Sequence, residues 1–255
     1  MFVRANGFLS AKEMPEHLYE PVKILDHGYM HLVDHMGHDE RIIEAARMST
    51  DKGFVSWEPY EGHPRGDEGL LEYLYKNKHG TPFEMCELCI VVQAPILVFR
   101  EWHRHRTQSY NEMSARYTPL PNLNYIPSVE RLMINAGGSN KQAGTIKGAE
   151  VLTEAAALAF QDKLKAKYAD DESVYQWALA SGVPKELARV HLPVGRYSRM
   201  MAKTDLRNWL AFMTLRSAPT AQWEIRQYSL RVGEYIREMF PRTYNLFVEN
   251  PPWGK

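Results

Sequence analysis

Apolar positions recur along this chain in two rhythms, one helical and one alternating. Ile42, Ile43, Ala46 and Met48 fall at helical spacing and predict a helix over residues 39–48. A polar loop rich in glycine and proline follows from Gly53 to Gly69, and Leu70, Leu71 and Leu74 then mark a second helix that stops at Gly80. Thr81-Pro82-Phe83-Glu84 offers a capping residue, a proline at the first helical position and a glutamate three residues after the cap. Residues 147–181 read as helical with a break near Asp170-Asp171, and Pro184 opens a short helix to about Arg189. Leu206, Trp209, Leu210 and Met213 predict a helix capped by Asp205. Ile225, Tyr228, Val232, Tyr235, Ile236 and Met239 form the buried stripe of a last helix over 221–240.

The alternating rhythm is shorter. Residues 22–32 read as a hairpin turning at His27-Gly28. Residues 86–99 are strand-like and mostly apolar, which implies burial on both faces. The pattern turns helical from about Val98 to Thr107, and 194–203 reads as a strand with Tyr197, Arg199 and Met201 on one face. Pro119, Pro121 and Pro127 mark a turn-rich stretch, and Ala136 to Gly144 a loop. With no internal repeat and no clear linker, the expectation is one α+β domain with a mixed or antiparallel sheet packed with helices. It spans 22–247, between an N-terminal extension (1–21) and a C-terminal tail (248–255).

Charge narrows the field. Lysine plus arginine (31) balances aspartate plus glutamate (31), which argues against a dedicated nucleic-acid binder. Two cysteines, Cys86 and Cys89, are too few for a disulfide scaffold and suggest a reducing compartment. No apolar run approaches the ~20 residues that span a bilayer, and no basic region precedes an apolar core at the N-terminus. A cytoplasmic protein with no membrane partner is expected.

The segment from Arg100 to Tyr117 carries the most chemistry. It sets Arg100, Arg104, Arg106 and Arg116 beside His103 and His105, directly after an apolar strand, with only Glu101 and Glu112 as local acids. On a helix, Arg104 and Arg106 diverge by about 200° and so reach different partners. Such a pair suits two phosphorylated ligands side by side, each charge-assisted contact contributing about 1.5–3 kcal/mol. Ser114 and Arg116 follow a turn that can close on a phosphate with backbone N–H groups. A serine among arginines, without Ser-His-Asp spacing, reads as a phosphate ligand and not a nucleophile.

Arg104-His105-Arg106, seven residues and then Ser114, within Ser-Tyr-Asn-Glu-Met-Ser-x-Arg-Tyr (109–117), resembles the signature of the flavin-dependent thymidylate synthases. The resemblance runs from about Val22 to Phe247 through Ala46-Arg47-Met48-Ser49, His79-Gly80-Thr81-Pro82-Phe83-Glu84, Ala188-Arg189 with Leu192-Pro193, and Asp205-Leu206-Arg207-Asn208-Trp209 to Leu215-Arg216. It implies that fold, and reductive methylation of dUMP to dTMP with methylenetetrahydrofolate as carbon donor and NADPH as reductant. By the same resemblance dUMP is held by Glu101, Arg104, Glu112, Ser114, Ala115, Arg116, Arg189 and Arg216. FAD is met by Thr81, Arg104, His105, Arg106, Glu112 and the Asp205-Leu206-Arg207 stretch, with Ser49 and His79 close to the flavin. The family assembles as homotetramers with sites shared between subunits. Ala211 stands where the family often has Asn or His, Thr220 where His is frequent, and Asp205 where Asn also occurs.

Activating C5 of uracil requires either thiolate addition at C6 or stabilisation of a uracil anion. Cys86 and Cys89, beside Ile90-Val91-Val92, sit in a pKa-raising setting. Arg216, always charged, is therefore the expected activating residue. The C-x-x-C spacing lacks a second pair and reads as core, and Trp209 and Trp223 read as core too. His31, Asp34, His35 and His38 lack the spacing of a zinc hydrolase, so no metal is expected. Neither a Gly-x-Gly-x-x-Gly nor a P-loop occurs, so a flavin is held outside a Rossmann fold. The rival readings are a nucleic-acid-binding module using Arg100, Arg104 and Arg106 and a metal-dependent hydrolase built on His31–His38. The first predicts steep salt dependence, the second loss of activity with chelator.

Overall fold

A computed structural model describes residues 15–134, 144 and 151–250. Its sheet is five-stranded and antiparallel throughout, in the order β1-β2-β3-β5-β4. In chain order, β1 (Val22–Ile24) and β2 (Gly28–Met36) lead to α1 (Asp39–Arg47), α2 (Gly66–Lys76) and α3 (Thr81–Glu84). Next come β3 (Glu87–Pro95), α4 (Ile96–Trp102), β4 (Ser109–Glu112), α5 (Val129–Ile134), α6 (Glu154–Ala180) and α7 (Lys185–Ala188). The chain finishes with β5 (Tyr197–Asp205), α8 (Leu206–Arg216), α9 (Trp223–Met239) and α10 (Pro241–Glu249).

One sheet face supplies Met30, Leu32, Leu88, Ile90, Val92, Met200 and Ala202 to a core shared with Trp209, Leu210, Phe212, Ile225, Tyr228, Val232 and Tyr235 of α8 and α9. The helical stripes expected from the sequence are the ones that bury, and Asp205 caps α8 by accepting from Asn208 N at 2.8 Å. On the opposite face Cys89, Val91 and Gln93 are only half-buried, and Arg199, Met201 and Lys203 are exposed. The expectation that 86–99 is covered on both faces therefore fails within one chain: β3 alternates, and its last residues become α4.

Other boundaries differ for identifiable reasons. The helix after β3 ends at Trp102, so Arg104, His105 and Arg106 lie in a turn and not on a helix. Thr81 does not cap α3; its N-cap is Gly80, without a side-chain cap bond, and Glu84 pairs with Arg207 instead. No break occurs at Asp170-Asp171, where Lys167 bridges both carboxylates one turn away and α6 runs on for 27 residues. Short β4, α5 and α10 were not foreseen, and the boundary drawn at 247/248 falls inside α10. His31 and His35 lie along extended β2, not on a helix. The loop expected at 136–144, apart from Gly144, lies outside the described residues, as does most of 1–21.

Candidate active site

Trp102 anchors the site. It is fully buried, with Phe212 at 4.7 Å and Trp209 at 6.4 Å between ring centroids, and its indole N–H donates to Gln108 Oε1 at 2.9 Å. Tyr110 on β4 donates its hydroxyl to the carbonyl of His105 at 2.7 Å, and Thr204 on β5 donates to that of Thr107 at 3.1 Å. These bonds pin the turn after α4 from inside and leave Arg104 and Arg106 exposed. Among the described residues neither arginine side chain has a hydrogen-bond or ion-pair partner. The charges are thus presented outward by the turn, where a helix was expected to splay them.

Arg216, at the end of α8, points back to α4. It donates from Nη1 to Glu101 Oε2 at 2.7 Å, from Nη2 to the Glu101 carbonyl at 2.9 Å, and from Nε to His105 Nε2 at 2.9 Å. The last bond requires Nε2 to be unprotonated. Burial first, and the Arg216 charge second, push the His105 pKa down to about 4, which keeps the ring neutral. Arg216 and Glu101 line a cleft of about 580 Å³ together with Arg100, Arg131, Trp223 and Arg226. Trp223 is half-buried there and not core as expected, while Trp209 is core. Arg131 escaped sequence reading because α5 sits in a stretch dominated by turn residues; it pairs with buried Glu224 at 2.7 Å and fixes one wall of the cleft.

The remaining expected residues fall in two other places. Ser114, buried Ala115 and Arg116 form a turn in which Ser114 Oγ accepts from Arg116 N at 3.3 Å, and Arg116 pairs at 3.2 Å with Glu186 of α7, just before exposed Arg189. None of these four lines the cleft beside Arg216. Glu112 is exposed on β4, opposite Met200. Exposed His79 and Thr81 flank Gly80, where an added Cβ would stand 2.9 Å from Arg207 Nε; Arg207 lies in the first turn of α8, which Asp205 caps. Ser49 is exposed in the 3₁₀ turn that follows α1. A single chain thus brings together Glu101, His105 and Arg216, while Ser114, Ala115, Arg116 and Arg189 line no part of the cleft beside them.

Both thiols are poor nucleophiles here. Burial, with nearby carboxylates, raises the Cys86 pKa far above its ordinary value, and burial also raises that of half-buried Cys89. Among the described residues no helix is long and apolar enough to cross a membrane.

Comparison with known proteins bears on the family and the fold. Residues 31–242 match the family model described as thymidylate synthase complementing protein. A flavin-dependent thymidylate synthase of Rickettsia prowazekii is 37% identical over 91% of this chain and 79% of its own length. One from Thermus thermophilus is 39% identical over 90% and 78%. A crystal structure of a UMP/dUMP methylase, PolB from Streptomyces cacaoi bound with 5-Br dUMP, superposes with a TM-score of 0.74 at 30% identity, covering 89% of this chain and 97% of that one.

Proposed function

The chain belongs to the flavin-dependent thymidylate synthases, a family of methyltransferases, and on that premise we propose that it methylates dUMP to dTMP. Methylenetetrahydrofolate is the proposed carbon donor, and NADPH the reductant of a bound FAD. The observation that carries this reading is Arg216, held by Glu101 and neutral His105 on the wall of the cleft.

Arg216 and Glu101 take the pyrimidine end of dUMP, and the Arg216 charge favours the anionic base, raising electron density at C5 without sulfur attack. Ser114, Ala115, Arg116 and Arg189 take the phosphate, with Arg104 and Glu112 between the two ligands. Because the phosphate set does not line the cleft of its own chain, the proposed site is completed by a second subunit in a homotetramer.

The proposed FAD set is Ser49, His79, Thr81, Arg104, His105, Arg106, Glu112, Asp205 and Arg207. Its donors suit a diphosphate: Arg104 and Arg106 are exposed and unpaired among the described residues, and Arg207 stands at the N-terminal turn of α8 beside Gly80. When bound, FAD supplies the hydride that completes the methyl group after methylene transfer from the folate.

Purified protein is expected to show a flavin absorbance that dUMP perturbs, and to convert dUMP to dTMP. Arg216→Ala should lower turnover with pre-reduced flavin about a hundred-fold or more, the scale of losing one buried charge-stabilising donor. Turnover near wild type in that variant overturns the assignment.

A further inference from the structure

We propose that His105 is a positioning residue for Arg216, its Nε2 fixing the guanidinium at Nε while Glu101 fixes the two terminal nitrogens. This rests on the function proposed above and assigns the His105 ring a task in addition to its place in the proposed FAD set. A guanidinium has five N–H donors in one rigid plane. The three bonds to His105 and Glu101 leave one N–H on each terminal nitrogen of Arg216, which lines the cleft. Glu101 alone engages one edge of the group; the third contact, on Nε, sets the orientation of its plane.

The imidazole is itself held. The backbone carbonyl of His105 accepts from Tyr110, and the ring stands edge-on to Phe212 of α8 at 4.8 Å between centroids. The groups that face it are the Arg216 guanidinium from α8 and, through that guanidinium, the Glu101 carboxylate from α4. Its burial, and after that the cation beside it, keep the ring in the neutral form whose Nε2 accepts. A protonated ring would present N–H to N–H and release Arg216.

A double-mutant cycle on the flavin-loaded protein tests this. His105→Phe keeps a ring against Phe212 and removes the acceptor. Dissociation of dUMP, read from its perturbation of flavin absorbance, and kcat/KM are measured for His105→Phe, Arg216→Ala and the pair. His105→Phe is expected to weaken dUMP binding about ten- to hundred-fold, as for one charge-assisted hydrogen bond. In the Arg216→Ala background the same change should shift it by less than about two-fold, each variant being read on its flavin-loaded fraction. Additive losses, an unchanged dUMP affinity or loss of flavin alone overturns the positioning role. If the Phe variant unfolds, His105→Leu repeats the cycle. Failure of the wild-type protein to bind dUMP overturns the functional reading itself, and is thereby distinct from an additive cycle.

Discussion

Arg216, His105 and the two cysteines divide the work of charge at the scale of single residues. Since both thiols are held protonated, Cys89→Ala should keep wild-type kcat. Cys86→Ala should keep activity per folded molecule while losing about 1 kcal/mol of stability from a fully buried position. Equal loss of kcat in both would reinstate a thiolate. His105, with its pKa lowered to about 4, binds fewer protons folded than unfolded between about 4 and 6.5. Its contribution to stability is thus present above 6.5 and is lost as pH falls through 4. Asp39 has the opposite sign. Burial raises its pKa to about 6, although Thr243 Oγ1 donates to it at 2.6 Å and Arg242 N at 2.8 Å. Its contribution is full below about 3.8 and declines as pH rises through 6. Asp39→Asn removes that decline, so the wild-type Tm minus the variant Tm should fall from pH 4 to pH 7.5; a rise in that difference would contradict the assignment.

Elements matter here through their ends. Helix α4 stops at Trp102 because that side chain is sunk among Trp209, Phe212 and Tyr228 and tied to Gln108, which turns the chain back into β4. Trp102→Ala should cost about 3–5 kcal/mol, measured by denaturant unfolding, and should loosen the turn carrying Arg104 and Arg106. The first turns of α3 and α8 meet where Gly80 leaves room for Arg207, which pairs with Glu84. Gly80→Ala is expected to displace Arg207 and lower FAD retention on gel filtration. The Glu84 pair is largely exposed, so Glu84→Ala should shift Tm by no more than a degree or two.

At the scale of the molecule, the proposed site turns on the proposed homotetramer. Apolar surface that one chain leaves open lies on the sheet at Cys89, Val91 and Met201, and on α6 at Val174 and Trp177. If Arg216 and Arg116 serve one site from different subunits, neither Arg216→Ala nor Arg116→Ala alone is active. Mixed oligomers of the two should then regain a fraction of wild-type turnover, because some sites inherit both arginines. No recovery in mixtures shown by mass to contain both chains would place the two arginines in the same chain's site.

Periodicity by itself determined α1, α2, α8 and α9, the β1–β2 hairpin and the Asp205 cap, since each rests on local spacing against one buried face. The signature between Arg100 and Tyr117 likewise marked out the family, because so many cations with so few local acids make a long and unusual pattern. Tertiary structure alone decided that Arg104 and Arg106 ride a turn, that Glu84 serves Arg207 in place of a cap, and that β3 has one open face. It alone set His105 against Arg216, two residues 111 positions apart in sequence. Those outcomes depend on side chains meeting across elements, and local spacing carries no record of which distant group competes for a hydrogen bond.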